Sequence, residues 1–248
     1  MKIKFWGVRG SIPTPGKAFS VYGGNTSCVE VRIDNHVLIF DMGSGIKNLG
    51  DSLLQRKINN FDIFLSHFHY DHTCGFPFFK PAFNSDINFN IRSGRKDMKK
   101  VLGSQISSPS FPITLKEFRA NIKYDNFKVG DRIIIKDNIK IFTLSLNHPD
   151  GAVGYRLEYN DKVVSYITDH EHEENVKNEK LINFITNSDL LIYDSTYKDE
   201  EFENYKGWGH STWQEGVRLS NYSKIKKYAI FHHNPDNKDN VMEEIEKE

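Results

Sequence analysis

The sequence predicts an α/β fold in which β-sheets carry helices on their outer faces. Two observations predict it. Short alternating or β-branched runs, each bounded by Gly, Asn, Asp or Pro, recur through all 248 residues. Stretches with helical spacing fall between those runs instead of being segregated to one end.

In chain order, strands are expected over residues 2–6, 28–33, 36–40, 62–65, 87–91, 133–135, 139–146, 154–158, 162–167, 190–193 and 227–231. Helices are expected over 45–55, 171–186, 212–221 and 240–248. Val176, Leu181, Ile182 and Ile185 define the apolar face of the second, and Ser211 is a candidate N-cap before the third. Asn35, Asp137-Asn138 and Asn160-Asp161 read as hairpin turns joining paired strands. Residues 103–112 have no periodicity and read as a loop of the kind that closes over a site or meets a partner. No repeat, linker or low-complexity segment divides the chain, so residues 1–248 read as one domain.

The bulk composition narrows the functional classes. Lys plus Arg and Asp plus Glu balance at 33 each, giving zero formal charge. A protein that grips a long polyanion usually carries a basic stripe. The pI near 7.2 therefore favours a small ligand over tRNA or long DNA, although a local patch would survive the averaging. Two cysteines, Cys28 and Cys74, are too few for a disulfide framework and read as plain thiols. With no signal-peptide pattern at the start, they point to a reducing, cytoplasmic setting. No apolar run approaches the roughly 20 residues of a membrane helix.

The chemistry concentrates in Ser66-His67-Phe68-His69-Tyr70-Asp71-His72, directly after an apolar strand. His67 and His69, two apart, face one way from an extended segment. Asp71 and His72 follow at a turn and can face a second ion. Imidazole and carboxylate are ligands that zinc accepts, with manganese or iron as competitors. His148, Asp169 and His232 each follow a predicted strand, so one sheet edge would gather them. By count, His67, His69 and His148 hold one ion, Asp71, His72 and His232 the other, and Asp169 bridges them. His232, the first residue past its strand, is preferred to His233. His36 sits in a hairpin and is given no role; His170 and His172 precede or open a helix and read as residues behind the ligands or on the surface. Asp194 and His210 form a candidate pair in which the carboxylate fixes the imidazole and the imidazole delivers a proton.

This pattern resembles the metallo-β-lactamase fold hydrolases, and the resemblance implies an αββα sandwich of two mixed sheets. Gly23-Gly24-Asn25-Thr26-Ser27, Phe40-Asp41-Met42-Gly43 and Gly209-His210-Ser211-Thr212 resemble the tRNase Z-like phosphodiesterase branch. There a Glu-containing motif pairs with the His of the His-Ser-Thr loop; this chain has Asp194 in place of that Glu. Phe5-Trp6-Gly7-Val8-Arg9-Gly10-Ser11-Ile12-Pro13 and Ser108-Pro109-Ser110-Phe111-Pro112 resemble small-nucleotide phosphodiesterases, most nearly the anti-Pycsar family. That resemblance implies a homodimer with two zinc ions, manganese being an alternative. Its substrate would be a 3′,5′-cyclic mononucleotide, cyclic CMP or UMP and by extension cyclic AMP or GMP, hydrolysed to the 5′-monophosphate. In a phage such an enzyme would act in the host cytoplasm and evade cyclic-nucleotide immunity. Asp71 would accept the water's proton and His210, held by Asp194, would protonate the leaving oxygen. The 103–112 loop would reach a partner's active site. The alternatives are a tRNase Z-like 3′-processing nuclease and a phosphoribosyl cyclic phosphodiesterase. A sensor that keeps the fold without the chemistry would lack ligands, and the full set is here.

Overall fold

The computed structural model describes residues 1–136 and 138–248. Among these, twelve strands and seven α-helices form two mixed six-stranded sheets, the α/β class expected. The chain divides into two compact units, residues 1–127 with 238–248 and residues 128–237.

In the first unit the sheet order is β1 (Lys2–Gly7), β2 (Cys28–Ile33), β3 (His36–Phe40), β4 (Asn60–Phe64), β5 (Asn88–Ser93) and β6 (Asn121–Asn126). The first three run antiparallel, and β3 to β6 run parallel. The expected turn at Asn35 does join β2 to β3, with Asp34 at φ 50°. Helix α1 (Ile46–Gln55) supplies the crossover to β4 and buries Ile46, Leu49 and Leu53, one stripe at helical spacing. They join Ile39, Phe61, Ile63 and Phe89 in the core of the unit. A central strand reads as apolar on both faces, yet β4 carries a buried Asp62. Its carboxylate is matched by His36 Nε2 at 2.9 Å, Asn90 Nδ2 at 2.8 Å and Arg92 Nε at 2.9 Å. His36, given no role above, thus satisfies a buried acid on the neighbouring strand.

Two features here differ from expectation. Strand β6 was not foreseen, because Asn121, Asp125 and Asn126 look like turn residues; it survives as the parallel edge partner of β5. The 103–112 segment is not all loop, since α3 (Met98–Gln105) runs into it. Gln105 Nε2 donates to the Phe68 carbonyl at 3.1 Å, and Phe111 packs edge-on to Phe78 at 5.6 Å. The chain returns to this unit as α7 (Asp239–Lys247), whose Asp239 carboxylate accepts the N–H groups of Val21 and Tyr22 at 2.9 and 3.2 Å.

In the second unit β7 (Arg132–Lys136), β8 (Ile139–Leu146), β9 (Ala152–Tyr159) and β10 (Lys162–Ile167) form an antiparallel meander. The turn expected at Asp137-Asn138 falls partly on Asp137, which lies outside the described residues. Asn160, at φ 50°, makes the turn between β9 and β10 as expected. β11 (Leu190–Asp194) and β12 (Tyr228–Phe231) add parallel to β10. Helices α4 (Glu179–Ile185) and α6 (Trp213–Tyr222) pack Leu181, Ile182, Ile185 and Leu219 against Ile167, Leu191 and Tyr193.

The helix expected over 171–186 is shorter, beginning only after Asn178. The Asn178 side chain accepts the Leu181 N–H at 3.0 Å, which starts the helix there. Thr212 caps α6 by accepting the Glu215 N–H at 3.1 Å, so the cap is one residue later than the Ser211 expected.

Candidate metal centre

Each unit brings chemistry to the ends of its strands. In the first, β4 leads into Ser66, whose N–H and hydroxyl both donate to Asp41 at 2.7 and 2.8 Å. Asp41 is the first residue past the parallel neighbour β3 and adopts φ 63°, a conformation Asp tolerates better than most residues. His69 stays extended as the N-cap of the short helix α2 (Tyr70–Thr73), so His67 and His69 lie close, ring centroids 4.5 Å apart. The turn of α2 then presents Asp71 and His72. Their near atoms, Asp71 Oδ2 and His72 Nε2, are 3.4 Å apart. The Ser11 N–H donates to Asp71 Oδ2 at 2.8 Å, bringing the opening Arg9-Gly10-Ser11 segment to the motif. Gly43 fits this packing because a Cβ there would lie 2.3 Å from the Asp71 carbonyl.

In the second unit, His148 follows β8, Asp169 follows β10, Asp194 ends β11 and His232 follows β12. β8 runs in the direction of β10, because each is antiparallel to β9. All four residues therefore collect at one edge of the sheet, the carboxyl ends where open α/β sheets bind ligands. Asp169 Oδ2 lies 3.7 Å from His148 Nε2 and 3.4 Å from His232 Nε2. Asp169, His210 and His232 offer ligand atoms that all lie within 4.8 Å of one another. Asp169 and His232 have φ of 52° and 57°, so two strand exits use a left-handed residue to aim the side chain, as Asp41 does in the first unit.

The hydrogen bonds of the histidines show which nitrogen would face an ion. His72 Nδ1 meets Asp41 Oδ2 at 2.9 Å, and His67 Nδ1 meets the Ser66 hydroxyl at 3.0 Å. His148 Nδ1 donates to the Gly209 carbonyl at 2.8 Å, and His232 Nδ1 meets the Thr196 hydroxyl at 3.0 Å. An oxygen behind Nδ1 fixes the neutral tautomer with its lone pair on Nε2, the arrangement of metal-ligating histidines. These His and Asp donors suit a divalent cation.

Asp194 stands behind two imidazoles. His210 Nδ1 lies 2.9 Å from Asp194 Oδ2. Thr196 donates its hydroxyl to Asp194 Oδ1 at 2.7 Å while its oxygen faces His232. Burial pushes this carboxyl up, but the charge and hydrogen bond of His210 outweigh it and hold Asp194 below the usual carboxylate range. His210 stacks on His232 with centroids 4.6 Å apart.

The sequence reading missed the residues that aim the ligands. Asp41, Ser66, Thr196 and the Gly209 carbonyl do this. The signal for Asp41 was its position at a strand end; Gly209 gave only its glycine. A Cβ on Gly209 would lie 2.1 Å from His148 Nδ1, and its φ is 87°, so the close carbonyl requires glycine. His170 is buried and neutral, its pKa lowered to about 4 by desolvation. Its N–H donates to Asp194 Oδ2 at 3.2 Å, and its Nδ1 accepts from Asn147 N–H at 3.1 Å. His172 stacks on Phe202 at 4.2 Å. Both precede a helix rather than open one, because α4 begins further on.

The fold and these clusters define a metallohydrolase. A family model described as the beta-lactamase superfamily domain matches residues 50–233, and the chain belongs to that superfamily. A curated relative from Picrophilus torridus named ribonuclease Z is 27% identical over 94% of this chain and 85% of its own length. Human tRNase Z, short form, superposes with a TM-score of 0.71 at 17% identity, covering 94% of this chain and 93% of its own. The metallo-beta-lactamase fold protein YhfI from Bacillus subtilis gives 0.72 at 18% identity, covering 94% and 85%. The two structural likenesses show the metallo-β-lactamase fold.

The relatives correct one expectation. A small cyclic nucleotide as the substrate, favoured over long nucleic acid, conflicts with relatives named for ribonuclease and tRNase activity. The expectation rested on a zero net charge, and an average cannot show a local patch. Lys2, Arg32, Arg56 and Lys57 line one cleft of the first unit. Among the described residues no helix is long and apolar enough to cross a membrane.

Proposed function

We propose that this chain is a metal-dependent phosphodiesterase that cleaves RNA in the manner the name ribonuclease Z describes. One observation carries the reading, the match to a ribonuclease Z along 94% of the chain. The chemistry of the donors supports it. His67, His69, Asp71 and His72 of the first unit and His148, Asp169 and His232 of the second would supply the ligands of divalent ions. Zinc suits four imidazoles with a fixed Nε2 and the carboxylates beside them, with manganese as the competing ion. The family match runs through residues of both compact units, which supports residues 1–248 acting as one hydrolase domain.

Ions held there would act as Lewis acids on the phosphate and on the attacking water. The protein's own groups do the rest. Asp71, oriented by the Ser11 N–H, accepts the proton of the water. His210 donates its Nδ1–H to Asp194 Oδ2, so Nε2 can carry a proton to the departing ribose oxygen. Asp194 remains the charged partner, since its carboxyl is held low.

Bound metal and cleavage of a precursor tRNA, measured together, separate these roles. His69→Ala should lose metal and activity together. His210→Ala should keep its metal and lose about a hundredfold or more in turnover, the scale of one general acid. Metal loss in His210→Ala would make it a ligand instead, and full activity in either variant would contradict the assignment.

A further inference from the structure

The segment between α5 (Asp199–Phe202) and α6 carries aromatic rings that neither the metal ligands nor the His210–Asp194 pair require. Its backbone is held by four hydrogen-bonding groups. The Glu171 carboxylate accepts the Gly207 and Gly209 N–H groups, each at 2.8 Å. The Gly209 carbonyl accepts from His148, and the Trp208 N–H donates to the Tyr205 carbonyl at 3.1 Å. Between the two pinned glycines stands Trp208, 62% exposed. An indole left so open contributes little to folding by burial, yet the glycine N–H groups on both sides of it are hydrogen-bonded to one carboxylate.

From Trp208 the rings continue inward. Tyr205 lies perpendicular to it, at 5.6 Å and 84°. Tyr205 stacks on Tyr197 at 4.2 Å and 4°, and Tyr197 meets the His210 ring at 6.2 Å. A perpendicular neighbour braces an indole while leaving at least one of its faces uncovered. The ladder joins that face to the imidazole proposed to protonate the leaving group.

We propose that Trp208 is a stacking platform for an unpaired RNA base next to the phosphate being cleaved. This rests on the RNA-cleaving reading above. The occupant is argued from its chemistry. Unpaired RNA bases are splayed out and bound by stacking on aromatic rings, and any base has a face to offer. Trp208 would then select for a base beside the scissile bond without reading its identity.

The test uses the metal-loaded protein and short single-stranded RNAs, with or without one abasic ribose on either side of the cleaved bond. Wild type should prefer the intact RNA by about tenfold in kcat/KM at one of the two positions, the scale of one stacked base. In Trp208→Ala that ratio should fall to about one, and Trp208→Phe should restore most of it. His210→Ala should slow both RNAs alike and keep the ratio. An unchanged ratio in Trp208→Ala, with metal content and circular dichroism intact, overturns the platform. If wild type cleaves none of these short RNAs, the RNA-cleaving reading is decided separately on the precursor tRNA, and the platform is read from binding instead. Affinity for intact over abasic RNA must still collapse in Trp208→Ala, and equal preference in both proteins overturns it.

Discussion

Asp41 is fully buried, and its two oxygens serve the Ser66 N–H, the Ser66 hydroxyl and His72 Nδ1. None of these partners would be satisfied by an apolar replacement, and His72 would lose the carboxylate that sets its tautomer. Partners of this kind cost ten- to a hundredfold in metal affinity when removed. We therefore expect Asp41→Ala to bind zinc about tenfold more weakly, read by competition with a chelator, while Asp41→Asn retains part of the affinity. Affinity equal to wild type would mean that His72 is oriented by other contacts. At this scale the sequence was legible for groups that bond a cation and illegible for groups that aim them. His67, His69, Asp71 and His72 announce themselves by density after a strand. Asp41 stood out only as part of a family motif at a strand end, and its role lies in a partner 31 residues away. Asp194 was readable as the partner of His210, while its link through Thr196 to His232 needed three dimensions.

At the scale of elements, strand ends rather than helices position the chemistry. β8, β10, β11 and β12 were each expected within one residue of their ends, and β9 within two. Their direction, which gathers His148, Asp169, Asp194 and His232 at one edge, could not be read from local periodicity. The shortened α4 has a similar cause. Glu171, at the expected start of that helix, spends its carboxylate on Gly207 and Gly209, partners distant in sequence. β4 shows what a buried charge costs an element. Asp62 is held below the usual carboxylate range because the bonds from His36, Asn90 and Arg92 outweigh the burial that would raise it. A lowered folded value means stability that is present above the ordinary pKa of about 3.9 and lost as pH falls through the folded value. Asp62→Ala should destabilise the protein by about 3 kcal/mol at neutral pH, as breaking a buried pair does. Its stability should also fall less steeply than that of wild type below about pH 4. Denaturant melts at pH 7 and pH 3 read both effects, and parallel pH curves would show that the Asp62 cluster contributes nothing to acid stability.

For the whole molecule, composition was a poor guide to substrate. Zero formal charge favoured a small ligand, yet the relatives are named for RNA. RNA binding depends on where Lys and Arg lie more than on their sum, so neutral balance leaves both classes open. The α/β class was legible from strand and helix spacing along the chain, whereas the two mixed sheets were expected only from the resemblance to the metallo-β-lactamase fold hydrolases. The most direct test of the function offers zinc- or manganese-loaded protein a precursor tRNA bearing a 3′ trailer, beside 3′,5′-cyclic CMP, UMP, AMP and GMP and a 5-phosphoribosyl cyclic phosphate, with His69→Ala as control. Removal of the trailer by wild type, abolished in His69→Ala, is the predicted result. Turnover confined to the cyclic phosphates, with the precursor tRNA untouched, would contradict it.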